Sequence, residues 1–229
     1  MIGRPTSRKE CRLAAAMKGG NNAEQHNHND VGSYLVVVDG RAVLIDPGSE
    51  VYTRRTFSER RYESKVLNSF GHPVPIVAGK LQRPGPDARG RVLEMQFADS
   101  AETLVLDIKS AYDVPEIEKL ERTFVYSREE EGSLTVTDEV VFSQPRTFGT
   151  ALVTFGTWRP ELPGGLTIED GGGAVNVEIH CDGGEIAVQA EEIHEDLLAK
   201  RTPTRIGLNF KEPIKSGRIS VVITPTREK

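Results

Sequence analysis

The sequence predicts an all-β protein, a large antiparallel β-sandwich (a super-sandwich) with one or two short helices, and three features carry that expectation. Run after run alternates apolar with polar residues, the pattern of strands with one buried and one wet face. An Asp-Gly step joins two β-rich runs near the start, the strongest short hairpin signal. The 22 glycines and 13 prolines fall mostly between the runs rather than inside them, as turn residues should.

Taken in order, "SYLVVVDGRAVLIDPG" (33–48) reads as strand, Asp39-Gly40 turn, strand, with a stop at Pro47-Gly48. "RVLEMQFA", "ETLVLDIKSAY", "KLERTFVYS" and "SLTVTDEVVF" follow, and then "FGTALVTFGTW" and "GLTIEDGGGAVNVEIHC". "EIAVQA", "TRIGLNF" and "GRISVVITP" complete the series. Glycine knots at Gly164-Gly165, Gly171 to Gly173 and Gly183-Gly184 mark tight turns. Two segments suggest helices. "SERRYESKVLNSF" (58–70) could hold two turns with Ser58 as N-cap, although Arg61 stands where a capping box wants Glu or Gln. "EEIHEDLLAKR" (191–201) sets Ile193, Leu197 and Leu198 on one stripe. With no repeat and no low-complexity linker, residues 12–229 read as a single domain behind an N-terminal extension of residues 1–11.

Bulk properties narrow the function. A net charge of −5 argues against nucleic acid, which wants a basic surface. No apolar run approaches the roughly 20 residues a membrane span needs, and Leu13 to Met17 is too short for a secretory signal core. Cys11 and Cys181 are predicted to be free thiols, too few for a disulfide framework.

The segment "NNAEQHNHNDVGSY" (21–34) holds two of the five histidines, one residue apart. Imidazole and carboxylate are good zinc ligands, so His26, His28, Asp30 and Asp46 are candidates, with His72 further on. If Asp39-Gly40 closes a two-residue hairpin, Asp46 lies opposite Ser33, and His28 is then about 16 Å away along an extended chain. A shared metal therefore requires the chain to fold back between Asp30 and Gly32, a bend that glycine makes sterically easy. Two other readings stay open on spacing alone. The cluster could be polar loop capping a sheet, or a His-x-His-x-Asp hydrolase run, although Val31 stands where that run continues with histidine.

The stretch "MKGGNNAEQHNHNDVGSYLVVVDGRAVLIDPGSEVY" resembles the heparinase II/III-like family of polysaccharide lyases, specifically their C-terminal β-sandwich domain. The likeness continues through "RRYESKVLNSFGHPVPIVAGKLQ" and, in strand pattern, through "LDIKSAYDVPEIEKLERTFVY" and "LTVTDEVVFSQP". The resemblance implies a catalytic His26 facing substrate and a structural zinc held by His28, Asp46 and His72. Many members carry His-Asn-Thr at the third ligand, where this chain has His72-Pro73-Val74.

It implies β-elimination on uronate-containing acidic polysaccharides and a periplasmic or secreted location. It also implies a helical α/α toroid domain that this chain lacks, so the chain alone is expected to be an incomplete enzyme. Neutralising the substrate carboxylate is the chemical need. His26 could meet it or act as base, Asn27 or Asn29 could donate to the carboxylate, and Tyr52 is a more distant substrate-binding candidate. Arginines 54, 55, 60 and 61 could contact acidic groups. His180 and Cys181, adjacent on a strand, point to opposite faces, and His194 lies in a solvated acidic run. The competing reading is a non-enzymatic carbohydrate-binding or structural sandwich, disfavoured as a sugar binder by 6% aromatic residues.

Overall fold

A computed structural model describes residues 1–5, 10–161 and 164–226. The strands are β1 (Ile2–Gly3), β2 (Leu13–Met17), β3 (Asn21–Asn22), β4 (Tyr34–Val38), β5 (Arg41–Leu44) and β6 (Ile76–Val77). Then come β7 (Gly85–Arg89), β8 (Arg91–Phe97), β9 (Ala101–Asp107), β10 (Ile117–Ser127), β11 (Ser133–Arg146) and β12 (Phe148–Thr154). The chain continues with β13 (Thr157–Glu161), β14 (Gly165–Asp170), β15 (Gly173–Asp182), β16 (Ile186–Glu192), β17 (Thr204–Phe210) and β18 (Ile214–Pro225).

An eight-stranded antiparallel sheet, ordered β13-β14-β15-β18-β11-β10-β9-β8, forms one layer. Two four-stranded sheets, β1-β2-β4-β5 and β16-β17-β12-β6, form the other. These two meet where Ile45 N–H donates to Val153 O (2.9 Å) and the Thr154 hydroxyl donates to Val43 O (2.8 Å). One hydrophobic core joins all three sheets, with Leu13 and Val36 from the first, Phe124 and Val136 from the large sheet, and Leu152 and Leu208 from the third. The alternation read from the sequence is strict in β9, β10 and most of β11, whose inward residues are buried. Strand β12 departs from it, because all seven residues are buried. Its outer face lies under the segment that carries His72, so both faces are covered.

Asp39 and Gly40 both take positive φ (49° and 77°), closing the β4–β5 hairpin as Asp-Gly steps do. The expected helices are not found among the described residues. Residues 58–70 form only two single 3-10 turns, Arg61–Glu63 and Ser69–Gly71. The reason is Glu50, a buried carboxylate that the Thr56 and Ser64 hydroxyls (both 2.6 Å) and Arg55 (2.9 Å) all reach, winding the loop around it. Residues 191–192 continue strand β16, and residues 193–200 dock under the same loop through an isolated Glu50–Leu197 bridge. Ile193 and Leu197 are buried there against Val66, while Leu198 is 64% exposed, so the three do not form one stripe. Cys11 is a buried free thiol and Cys181 an exposed one. Among the described residues, no helix is long and apolar enough to cross a membrane.

Candidate metal centre and adjoining surface

The bend anticipated at Gly32 is a tight turn: Ser33 N–H donates to Asp30 O (2.9 Å), and Gly32 has φ +85°. It reverses the chain ahead of β4 and returns His28 towards the end of β5. There the Ser33 hydroxyl donates to Asp46 Oδ2 (2.7 Å), although a bulge after Val37–Ala42 shifts the pairing to Val36–Leu44, one residue away from the simple hairpin register that set Asp46 opposite Ser33. His72 arrives from the 3-10 turn Ser69–Gly71, which Asn68 caps by accepting from Phe70 N–H (2.8 Å).

Ligand atoms of His28, Asp46 and His72 all lie within 4.8 Å of one another, and the two imidazole rings are 5.2 Å apart. The hydrogen bonds of His72 fix its tautomer. Its Nε2 is 2.8 Å from Val66 O, and a carbonyl can only accept, so Nε2 carries a proton. Its Nδ1 then faces Asp46 Oδ2 at 2.8 Å. That contact needs a positive charge between two lone pairs, either a proton or a metal ion. An imidazole donating its far N–H to a backbone carbonyl is the usual support of a metal-ligating histidine. The donor set therefore fits zinc chemically, with two nitrogens and a carboxylate oxygen.

Electrostatics agree. Burial, with the charge of His72, pushes His28 down to about 4, so its imidazole is neutral at pH 7. Burial also opposes charge on His72 and Asp46, but their mutual attraction and hydrogen bond outweigh it, raising His72 and holding Asp46 well below the usual carboxylate range. Asp30 stays outside the triad. Its carboxylate accepts from Lys18 Nζ (2.6 Å), and burial raises its pKa. His26, His28 and Asp30 thus do not converge, which removes the geometric basis of the His-x-His-x-Asp reading.

His26 points the other way, exposed to solvent, with its backbone at φ 58°, a region uncommon for a residue with a side chain. Its Nδ1 is 3.4 Å from the Tyr52 hydroxyl. Asn29 is buried, giving Nδ2 to Gln82 O (3.3 Å) and accepting from Asn27 Nδ2 (3.3 Å). Asn27 is buried too, 3.4 Å from the Tyr62 hydroxyl, and its Oδ1 has no hydrogen-bond partner among the described residues.

Three residues that hold this arrangement carry no motif. Arg122 of β10, fully buried and paired with Asp138 (2.7 and 2.6 Å), gives Nη1 to Gly32 O (2.7 Å) and Pro73 O (2.6 Å). It clamps the His28 turn to the His72 segment. Arg205 of β17 binds the carbonyls of Phe70 (2.9 Å), His72 (2.7 Å) and Val74 (3.1 Å), and burial pushes its pKa down to about 10. Gln82 meets the Val31 backbone at both ends (3.0 and 2.8 Å), as a strand partner would. The signal available in the sequence was a charged or amide residue at an inward position of an alternating run, as at Arg122 between Leu120 and Phe124.

No protein-family profile and no curated protein sequence matches the chain. Solved structures do. The heparinase III BT4657 gene product superposes with a TM-score of 0.77 at 18% identity, over 99% of this chain and 35% of that one. The fold is that of the matched third of heparinase III. Heparan sulfate lyase HepC from Pedobacter heparinus matches similarly, with a TM-score of 0.74 at 13% identity, over 94% of this chain and 33% of that one. The chain thus spans about a third of the length of the lyases it matches. YeaD of Salmonella typhimurium, described as a mutarotase candidate, matches this chain less closely, with a TM-score of 0.50 at 10% identity over 94% of this chain and 90% of that one. At such identities the likeness is one of fold.

Proposed function

We propose that the chain is the metal-bearing β-sandwich portion of a polysaccharide lyase that acts on uronate-containing acidic glycans in the periplasm or outside the cell. The observation that carries this reading is the division of labour between two histidines one residue apart. His28 turns inward to Asp46 and His72, while His26 turns outward beside Tyr52. Zinc would be held by His28, Asp46 and His72, and when bound it would tie three distant parts of the chain together beneath the loop. Asn27 and Asn29 brace that loop from inside.

In β-elimination the proton beside the uronate carboxylate is removed and the 4-linked oxygen departs. That proton becomes acidic enough only when the carboxylate is neutralised by donors or positive charge. His26 stands where an imidazole can accept the proton or donate to the carboxylate. The Tyr52 hydroxyl, 3.4 Å from Nδ1, orients the ring and fixes which nitrogen faces the sugar. The remaining parts of the sugar cleft would come from a helical toroid domain, so turnover is expected only when one is supplied.

Elemental analysis of the purified chain is expected to give one zinc per molecule. His28→Ala is expected to lose that metal and lower the melting temperature. Unchanged metal content and stability in this variant would refute the metal assignment. Unsaturated uronate absorbance should appear when the helical domain is added, and His26→Ala should abolish it without changing metal content. The second reading, a carbohydrate-binding or scaffold sandwich without chemistry, rests on the match extending over only about a third of the lyases' length. Glycan binding without absorbance in the assembled protein would favour it.

A further inference from the structure

Of the four arginines after the motif, three are already committed. Arg55 pairs with Glu50 (2.9 Å) and Glu195 (2.7 Å), Arg60 pairs with Glu63 (2.8 Å), and Arg61 binds Thr56 O (2.9 Å) and Asn27 O (2.6 Å). Arg54 is exposed and has no carboxylate or carbonyl partner among the described residues. Three residues further on, Phe57 is 76% exposed, whereas Val66 and Leu67 later in the same loop are fully buried. Its ring lies 5.4 Å from that of Tyr52 at an interplanar angle of 80°, and Tyr52 in turn reaches His26. An edge-to-face contact covers at most one face of one of the two rings, which leaves the other faces available.

We propose that Phe57 and Arg54 form a sugar subsite beside His26, with the Phe57 ring under the apolar face of a pyranose and the Arg54 guanidinium on the carboxylate or sulfate of the same or the adjoining residue. The subsite rests on the lyase reading for its substrate class and adds the residues that would hold the sugar. Its chemistry requires both halves. An aromatic face accepts a ring of any charge, whereas a guanidinium rewards only the anionic one. An uncharged polysaccharide would use Phe57 alone. A protein partner covering an apolar side chain would accept a leucine in its place.

The test measures binding of two probes to the chain by calorimetry, a uronate-containing tetrasaccharide and its carboxyl-reduced neutral counterpart. Zinc content of each variant is measured in parallel. Phe57→Leu is expected to weaken both probes about tenfold, which is about 1.4 kcal/mol, and Phe57→Trp to restore binding. Arg54→Gln is expected to weaken the acidic probe about three- to tenfold, with the neutral probe unaffected, and added salt should mimic it. All three variants should keep the metal. Wild-type affinity in Phe57→Leu, or equal losses for both probes in Arg54→Gln, overturns the subsite and leaves the lyase reading standing. Metal-bearing wild-type protein that binds neither probe overturns the subsite as well. Wild-type protein without metal overturns instead the reading of the centre beneath it.

Discussion

His28 and His72 sit side by side, yet their surroundings drive them in opposite directions, and this sets how stability should follow pH. In the metal-free chain, burial holds His28 at about 4 against 6.5 for the free side chain. Between those values the unfolded chain binds more protons than the folded one, so stability falls as pH drops from 6.5 towards 4. His72 is raised, so its contribution is fully present below 6.5 and is lost as pH climbs through its folded value. The two windows adjoin without overlapping. Denaturant unfolding of the chelated protein between pH 4 and 8 is therefore expected to show its greatest stability near 6.5. His28→Asn should flatten the acid limb. An acid limb identical in the variant would contradict the burial argument.

The turn at Asp30–Ser33 is the element on which the centre depends. Gly32 is held at φ +85°, and a Cβ there would stand 3.3 Å from Arg122 Cδ. Gly32→Ala is expected to cost about 1–2 kcal/mol for the left-handed backbone, a melting temperature lower by roughly 2–8 °C at this chain length. The same variant should bind zinc more weakly, because the turn aims His28. Thermal scans with and without chelator separate the effects: a variant that loses stability equally in both states would mean that the turn does not serve the metal. This element was legible in the sequence, since the need for a bend and the glycine that permits it could be read from spacing. The helices expected over 58–70 and 191–201 were not. The first segment winds around Glu50, a buried carboxylate whose side-chain partners lie 5, 6 and 14 positions away, and the second extends β16 and bridges Glu50 through Leu197; local periodicity carries no trace of either.

Across the molecule, the interior of the sandwich and the centre at its margin share Arg122. One guanidinium is paired to Asp138 on β11 and reaches Thr150 on β12, Gly32 and Pro73. Arg122→Met leaves Asp138 buried without its partner, and is expected to cost about 3–5 kcal/mol. The double variant Arg122→Met with Asp138→Leu removes both charges, and replacing a buried pair with apolar residues is often neutral. Its melting temperature should recover most of the loss, while its zinc affinity should not, because Gly32 and Pro73 have lost their clamp. If zinc affinity recovers together with stability, the clamp is not what positions the loops.

The sequence by itself determined the all-β class, the Asp39-Gly40 hairpin, the bend at Gly32 and the inventory of His26, His28, Asp46 and His72. Each of these depends on local alternation, on turn chemistry or on residue type, which a chain displays at short range. Tertiary structure decided which histidine faces inward, which of four arginines is left free, and that buried Arg122, Arg205 and Gln82 hold the loops together. The contacts by which those last three side chains hold the loop backbones span 49 to 135 positions. At such separations a side chain's environment is set by how whole sheets pack, and the pattern of neighbouring residues does not encode it.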